Sequence, residues 1–133
     1  MKVITAEIKG CLIIEPKIFH DNRGFFLQTY KKDDYLAAGI KHDFIQDNHS
    51  RSSINVLRGI HIQRENPQGK LVSVIKGEVF DVAVDLRKDS NTFGKWTAVV
   101  LSEKNKKQFW IPPGFGHAFL SLTDDVDLVY KCT

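Results

Sequence analysis

The segment 78–87, with the sequence EVFDVAVDLR, constrains the fold more strongly than any other part of this chain. Its large apolar side chains fall on alternate positions, namely Phe80, Val82, Val84 and Leu86. The positions between them include two carboxylates, those of Asp81 and Asp85. Because successive side chains of a strand point to opposite faces, this alternation predicts a β-strand with one apolar and one partly acidic face.

The two carboxylates of this strand have two interpretations. An acidic face can line a polar cavity, or it can simply face water. We expect Asp85, which lies close to Arg87 in the chain, to face water. Both interpretations stay open for Asp81, which lies in the middle of the strand.

Short strand patterns separated by turn signals recur along the whole chain. They cover residues 12–15, 23–30, 42–50, 70–77, 95–102, 107–114, 117–123 and 126–131. One short helix is predicted over about residues 33–38, with Asp33 or Asp34 as its N-cap and Gly39 at its end. The pattern therefore predicts a single, antiparallel, all-β domain covering residues 1–133. Closure into a barrel or jelly roll would remove exposed edges and leave a mouth that can hold one ligand.

Composition and charge argue against several classes of protein. No apolar run approaches the roughly 18 residues of a membrane span, and the N-terminus lacks a secretory pattern. The net charge of +3 is mild, and the densest basic cluster, residues 103–108, is predicted to be a solvated turn. Cys11 and Cys132 lack metal-type spacing and are predicted to be unpaired thiols. We therefore expect a cytoplasmic protein with no membrane or nucleic-acid partner.

Four side chains that suit one kind of chemistry occur in the β-rich part of the chain. Arg58 and His61 lie within VLRGIH, Lys70 follows shortly after, and Tyr130 lies on the last apolar run. A guanidinium suits phosphate, an imidazole suits proton abstraction, an ammonium suits a developing oxyanion, and a phenol suits proton return. Epimerisation beside the ketone of a nucleotide sugar requires these four roles.

A second polar motif, IPPGFGH at residues 111–117, fits the P-x-G-x-x-H signature of cupin barrels. A metal-binding cupin would also carry H-x-H and a downstream Glu, but here Gln63 replaces the second His and no Glu follows at the usual spacing. His61 and His117 alone fall short of the three protein ligands of a catalytic zinc. We therefore predict a cupin-like barrel that uses no metal or other cofactor. The alternative, a metal-dependent cupin enzyme, lacks its first motif.

Eight segments, in order and over nearly the whole chain, resemble the dTDP-4-dehydrorhamnose 3,5-epimerase family. They read DNRGFF, FIQDNHSRS, VLRGIHIQ, QGKLV, GEVFDVAVDLRKDS, TFGKW, FWIPPGFGHAFLSL and VYK. The resemblance implies a cupin-type jelly roll, a homodimer and an isomerase without a cofactor. It also implies conversion of dTDP-4-dehydro-6-deoxy-D-glucose to dTDP-4-dehydro-L-rhamnose, a step of rhamnose biosynthesis for carbohydrates such as lipopolysaccharide.

The resemblance also implies roles for single residues of this chain. His61 is expected to be the base and Tyr130 the acid, while Lys70 steadies the enolate at the sugar O4. Further substrate contacts are expected from Arg23, Gln28, Gln46, Asp47, Asn48, Arg58 and His117. Gln28 departs from the family, which usually has a glutamate at that position. Asp81 and Gln63 are predicted supporting residues.

Each of these residues also has a simpler structural interpretation. His61 alone would be a core histidine satisfied by a neighbour, and Arg23 and Arg58 would be surface ion pairs of little energetic weight. Lys70 and Tyr130 alone would be ordinary strand and barrel-end residues. The motifs taken together favour the catalytic interpretation.

Members of the family continue for some tens of residues past the position of Thr133. The resemblance implies that their tail carries a Tyr that stacks on thymine and the Asp that pairs with the catalytic His, and neither has a counterpart in this sequence. Either the protein continues past Thr133, or it lacks this His–Asp pair and the His61 tautomer is less well fixed, unless Asp81 partly substitutes. Two further alternatives stay open: an epimerase that inverts one carbon only, and a non-catalytic sugar-nucleotide-binding module.

Overall fold

A computed structural model describes all 133 residues, as twelve β-strands and one short α-helix. The strands are β1 (Lys2–Thr5), β2 (Leu12–Glu15), β3 (Ile18–Asp21), β4 (Gly24–Leu27), β5 (Gln46–Ser52), β6 (Leu57–His61), β7 (Lys70–Lys76), β8 (Glu78–Asp85), β9 (Trp96–Ser102), β10 (Gln108–Ile111), β11 (Phe115–Ser121) and β12 (Val126–Cys132). The helix, α1, covers Lys32–Ala37.

The strands form two antiparallel sheets that enclose the core, together with a separate hairpin. The larger sheet has the strand order β1-β2-β10-β7-β12-β5 and the smaller has the order β6-β11-β8-β9, while β3 pairs only with β4. Thirteen buried side chains from both sheets form the main core, including Val72 and Phe109 from the larger and Leu101 and Phe119 from the smaller. The predicted all-β class with one short helix is confirmed.

The sequence pattern missed β1, β3 and β6 and made β4 too long. All three missed strands expose most of their side chains, so their apolar and polar positions show little contrast. The strand β4 ends at Leu27 because its only partner, β3, begins opposite it at Ile18. Local periodicity therefore identified the strands of the core better than those outside it.

The helix begins one residue earlier than predicted, and its cap is different. The N-cap is Lys31, which makes no side-chain capping bond, so the prediction that Asp33 or Asp34 caps the helix is wrong. Both aspartates lie in the first turn, where they complement the helix dipole. Gly39, at φ +96°, follows the last turn as expected. No helix has the length and apolarity needed to span a membrane.

The strand β8 buries the face that carries its carboxylates. Asp81 and Asp85 are completely buried, whereas Phe80 on the opposite face is 37% exposed. The prediction that Asp85 faces water is therefore wrong. Val79 and Ala83 share the carboxylate face and belong to the main core, so both acids enter an otherwise apolar interior.

Hydrogen bonds from the loop that follows β8 stabilise Asp85 in this interior. Arg87 donates through Nε at 2.9 Å, Nη2 at 2.7 Å and its backbone N–H at 3.1 Å. The hydroxyls of Ser90 and Thr92 each donate to Oδ2 at 2.6 Å. These bonds offset the cost of burying a carboxylate. Arg87 above all holds the pKa of Asp85 well below its usual range.

Asp85→Asn should lower the free energy of unfolding by about 1–3 kcal/mol near neutral pH, the contribution of charged hydrogen bonds of this kind. The depressed pKa means that the stabilisation is present above the pKa of the unfolded aspartate, about 4, and is lost as the pH falls below it. Urea unfolding of both proteins between pH 7 and pH 2 measures the difference, which should shrink on acidification. Asp89→Asn, in the same loop but exposed, is the matched control. Equal losses in the two variants would contradict the assignment.

Candidate active site

The inward faces of two neighbouring strands of the larger sheet carry Lys70 and Tyr130. Lys70 alternates with the core residue Val72 on β7, and Tyr130 alternates with Leu128 on β12. The Lys70 Nζ atom lies 5.5 Å from the centre of the Tyr130 ring. Burial lowers the pKa of Lys70 and raises the pKa of Tyr130. The phenol therefore keeps its proton at neutral pH, as a general acid must.

Two histidines of the smaller sheet lie beside this pair. His61 on β6 and His117 on β11 are paired across the strands, and the His117 ring lies 6.3 Å from the Tyr130 ring. His61 and Lys70 border a cavity of about 150 Å³, together with Ile62, Gln63, Gln68 and Phe115. The structure thus brings the predicted base, the predicted acid and the predicted enolate-stabilising lysine into one region between the sheets.

Asp81 is the partner of His117 and not of His61. The Nε2 atom of His117 lies 2.9 and 3.1 Å from the two carboxylate oxygens of Asp81, whereas the His61 imidazole makes no hydrogen bond. Asp81 therefore does not take the place of the carboxylate behind His61. Burial raises the pKa of Asp81, and the neighbouring His117 and Lys70 oppose that rise.

Arg58 is held in place by groups of β5. Its Nε donates to Ser52 Oγ at 3.0 Å, and its Nη2 donates to the Arg51 carbonyl at 3.0 Å. The second terminal nitrogen, Nη1, makes no hydrogen bond within the chain. A guanidinium fixed in this way presents its remaining donors in one orientation, which suits an anionic ligand such as phosphate.

The predicted contacts on β5 fall on two different faces. The Asn48 Nδ2 atom donates to Cys132 Sγ at 3.4 Å, and Gln46 donates to Asn48 Oδ1 at 2.9 Å. Asp47 points to the other face, where it accepts a bond of 2.8 Å from Lys131. Within one chain, therefore, Asn48 and Gln46 are on the face of β5 that carries Ser52, and Asp47 is not.

The structure does not bring Arg23 and Gln28 to the other predicted site residues. Arg23 lies at the tip of the β3–β4 hairpin and forms an exposed ion pair of 2.6 Å with Asp21. Gln28 is exposed just after β4 and makes no hydrogen bond. The fold of one chain alone does not bring these two side chains to a ligand bound in the barrel.

Some residues of the site were not predicted. Ser52 positions Arg58, and Cys132 receives the bond from Asn48. Only strand alternation could have identified them. Each lies an even number of residues from a predicted site residue on the same strand and therefore shares its face. No three His, Cys, Asp or Glu side chains are grouped so that they could hold a metal ion. Both cysteines are free thiols.

Known proteins of one family are similar to this chain. A family model described as dTDP-4-dehydrorhamnose 3,5-epimerase matches residues 5–133. A protein of that name from Methanothermobacter thermautotrophicus is 52% identical over 132 residues, covering 99% of this chain and 71% of its own length.

Two solved structures extend the comparison. A dTDP-6-deoxy-D-glucose-3,5-epimerase from Legionella pneumophila Philadelphia 1, in complex with dTDP-4-keto-L-rhamnose, superposes with a TM-score of 0.97 at 53% identity, covering 99% of this chain and 71% of that one. A 3'-monoepimerase from Streptomyces bikiniensis, in complex with dTDP-quinovose, gives a TM-score of 0.88 at 35% identity, covering 96% and 66%. The predicted cupin-type fold is thereby confirmed.

One glycine allows the strand that carries Arg58 and His61 to approach β11 closely. Gly59 has φ +103°, and a Cβ at this position would lie 2.5 Å from the His117 carbonyl oxygen and 2.8 Å from Ala118. Real Cβ atoms do not approach backbone this closely, so any side chain would push the two strands apart. The position of His61 beside His117 therefore depends on the absence of a side chain at residue 59.

Gly59→Ala should destabilise the protein more than Gly94→Ala does. Gly94 also has a positive φ, +77°, but a Cβ there meets nothing within 4 Å. The control therefore measures backbone strain alone, about 1–2 kcal/mol, and Gly59→Ala should add about 1–3 kcal/mol for overpacking. Urea unfolding checks the difference. Equal effects would show that β6 moves away from β11 without cost.

Proposed function

The chain belongs to the dTDP-4-dehydrorhamnose 3,5-epimerase family, and on that premise we propose that it converts dTDP-4-dehydro-6-deoxy-D-glucose to dTDP-4-dehydro-L-rhamnose. The observation that carries the proposal is the meeting of His61, Lys70 and Tyr130 between the two sheets. These three side chains are the base, the oxyanion stabiliser and the acid that inversion beside a ketone needs.

His61 removes the proton from the carbon next to the ketone. The electron pair of the broken C–H bond moves into the ring, and the charge develops on the ketone oxygen O4. Lys70 stabilises that oxyanion, and Tyr130 returns a proton to the same carbon from the other face. His61 projects from the smaller sheet and Tyr130 from the larger, an arrangement that supports attack from two sides. The sequence of steps takes place at C5 and at C3.

Arg58 binds the diphosphate in this proposal. Its contacts with Ser52 and Arg51 leave Nη1 and part of Nη2 available, so the guanidinium still offers two parallel donors. Asn48 and Gln46 extend the polar lining along β5. Asp47 contacts the ligand only if a neighbouring chain or a conformational change brings the ligand to its face of β5.

Two alternative functions differ from this one in their chemistry. An epimerase that inverts a single carbon needs the same groups, and the likeness to a 3'-monoepimerase means that the fold does not decide between one carbon and two. A non-catalytic binding module would retain nucleotide-sugar affinity without proton exchange. Exchange of substrate hydrogens with solvent distinguishes an epimerase from a binding module. The carbons at which exchange occurs distinguish inversion of one carbon from inversion of two.

His61→Asn should lower exchange of the C5 hydrogen with deuterated water by roughly 10²–10⁴-fold, the contribution of a general base. Tyr130→Phe should slow inversion more than it slows exchange, because His61 can still form the enolate. Nuclear magnetic resonance follows exchange and inversion in one sample.

The control for these variants is His42→Asn, which replaces an exposed histidine outside the barrel. It should exchange at the wild-type rate. If His61→Asn also exchanges at that rate, His61 is not the base. If both site variants lose exchange and inversion equally, the roles on opposite faces have no support.

We also propose that the protein is a homodimer in which the β3–β4 hairpin contacts the second copy. The hairpin pairs with no other strand, and Phe19, Phe25 and Phe26 are at least half exposed on it. Exposed aromatic side chains on one small element are typical of an interface. A hairpin that reaches the partner would also place Arg23 and Gln28 near the ligand, as the resemblance implies.

Phe26→Ser should shift the protein towards the monomer, because Phe26, at 67% exposed, would contribute most to such an interface. Light scattering across a range of concentrations measures the shift as a dissociation constant raised by about tenfold or more, since losing an aromatic anchor costs over 1 kcal/mol. The control Phe93→Ser removes a ring of similar exposure, 54%, from the loop between β8 and β9. A wild-type protein that is monomeric at all concentrations would overturn the proposal.

The proposal extends to domain organisation, cellular location and pathway. Residues 1–133 would form one epimerase domain, and the two free thiols fit a reducing cytoplasm. The product would enter rhamnose-containing carbohydrates such as lipopolysaccharide. The proposed reaction needs no cofactor, because a side chain of this chain receives each proton or stabilises each charge.

A further inference from the structure

The position of Lys70 depends on the residue that precedes it. Lys70 is the first residue of β7, where it is paired with Ile111 of β10 and with Cys132 of β12. On its N-terminal side the chain leaves the sheet at once and forms the loop of residues 62–69, which joins β6 to β7. Because the ammonium group lies at the end of a flexible stem, its place between the sheets depends on where this junction is held.

Gly69, the residue before Lys70, is hydrogen-bonded to Thr133, which directly follows β12. The Gly69 backbone N–H donates to Thr133 Oγ1 at 2.9 Å, and the Gly69 carbonyl oxygen accepts a bond of 3.1 Å from the Thr133 N–H. These two bonds continue the pairing of β7 with β12 by one residue beyond Lys70 and Cys132. They hold Gly69 in the direction that runs across the sheet.

The Trp110 ring of β10 covers Gly69 on the face of the larger sheet that points away from the smaller one. Trp110 is paired with Leu71, and Gly69 shares the face of Leu71 because it lies two residues earlier. A Cβ on Gly69 would overlap Trp110 Cη2 and would lie 3.0 Å from Trp110 Cζ3 and 3.1 Å from Pro113 Cδ. The φ of Gly69 is not positive, so lack of space, and not backbone conformation, excludes a side chain here.

The Trp110 ring has little room to move aside. It is only 3% exposed, and the centres of the Phe44 and His42 rings lie 5.8 and 5.7 Å from its own. It belongs to the second buried cluster, whose other members are Ile14, Tyr35, Ile40 and Leu71. Because this cluster is closely packed, a side chain at residue 69 would displace the Gly69 backbone, and with it Lys70, more readily than the ring.

We propose that Gly69 is a positioning residue, and that its contact with the Trp110 ring sets how Lys70 is presented to the ketone oxygen O4. The inference rests on the proposed epimerase function. Gly69 and Trp110 act only through Lys70, whose Nζ atom lies 5.5 Å from the centre of the Tyr130 ring. A displacement of about 1 Å at a catalytic group lowers a rate by up to about 100-fold, so a contact behind the lysine affects the reaction.

Gly69→Ala should lower kcat by roughly 10–100-fold while KM changes by less than about threefold, because the proposed diphosphate contact of Arg58 is untouched. Trp110→Phe provides space, since phenylalanine lacks the outer atoms of the indole, Cη2 among them. The Gly69→Ala change made in the Trp110→Phe protein should therefore lower kcat by less than about threefold. Equal losses in the two backgrounds would overturn the inference, because the Trp110 contact would then not be the cause.

A measurement without substrate follows Lys70 directly. In protein labelled with ¹³C-lysine, the ε-methylene signal of Lys70 is identified by its absence in Lys70→Arg, and it is sensitive to the nearby Tyr130 ring. This signal should shift in Gly69→Ala. The control Gly94→Ala, whose added Cβ meets nothing within 4 Å, should leave the signal at its wild-type position. An unshifted signal in Gly69→Ala would overturn the inference, whereas a purely structural role would lower stability without moving Lys70.

Failure of the proposed function would give a different result. A wild-type protein that exchanges no substrate hydrogens, but whose Lys70 signal responds to Gly69→Ala, would reject the epimerase function and keep the positioning contact. If Gly69→Ala does not fold, the double variant with Trp110→Phe decides. That variant should fold and keep kcat within about threefold of Trp110→Phe alone. A double variant that also fails to fold would overturn the inference.

Discussion

The rest of this structure depends on one constraint, which is that charged side chains buried inside an apolar barrel need hydrogen-bond partners. The same inward faces that carry the core residues Val72, Val79 and Ala83 also carry charged side chains. Asp85 is satisfied by its own loop, and Asp81 is satisfied by His117. Ser50 and Ser121 hold the only buried side-chain oxygens without a partner. Each compensated group has a defined orientation, and a defined orientation is what a catalytic site requires.

The two sheets contribute different parts of the proposed chemistry. The larger sheet carries Lys70 and Tyr130, and the smaller carries His61, Arg58 and His117. Because the core between the sheets is closely packed, the distance between these groups is set by the barrel and not by flexible loops. In the proposed reaction, a substrate between the sheets would have His61 on one side and Tyr130 on the other, which is the geometrical requirement of inversion.

Part of the candidate site was predictable because residue type alone indicates which side chains can move protons. His61, Lys70 and Tyr130 were identified from residue type and motif, and the fold brings them together. The partner of Asp81 was not predictable, since it depends on which residue of β11 lies diagonally across from it. Asp85 was misplaced for a similar reason, because the donors Ser90 and Thr92 compensate it through the shape of a loop.

The sequence by itself determined most strands of the core, the all-β class and the side chains able to move protons. Strand periodicity is local, and the chemistry of an imidazole or a phenol does not depend on the fold. Only the tertiary structure decided which face of β8 is buried and which histidine Asp81 contacts. A strand pattern is symmetric between its two faces, and the choice depends on what distant segments pack against each one.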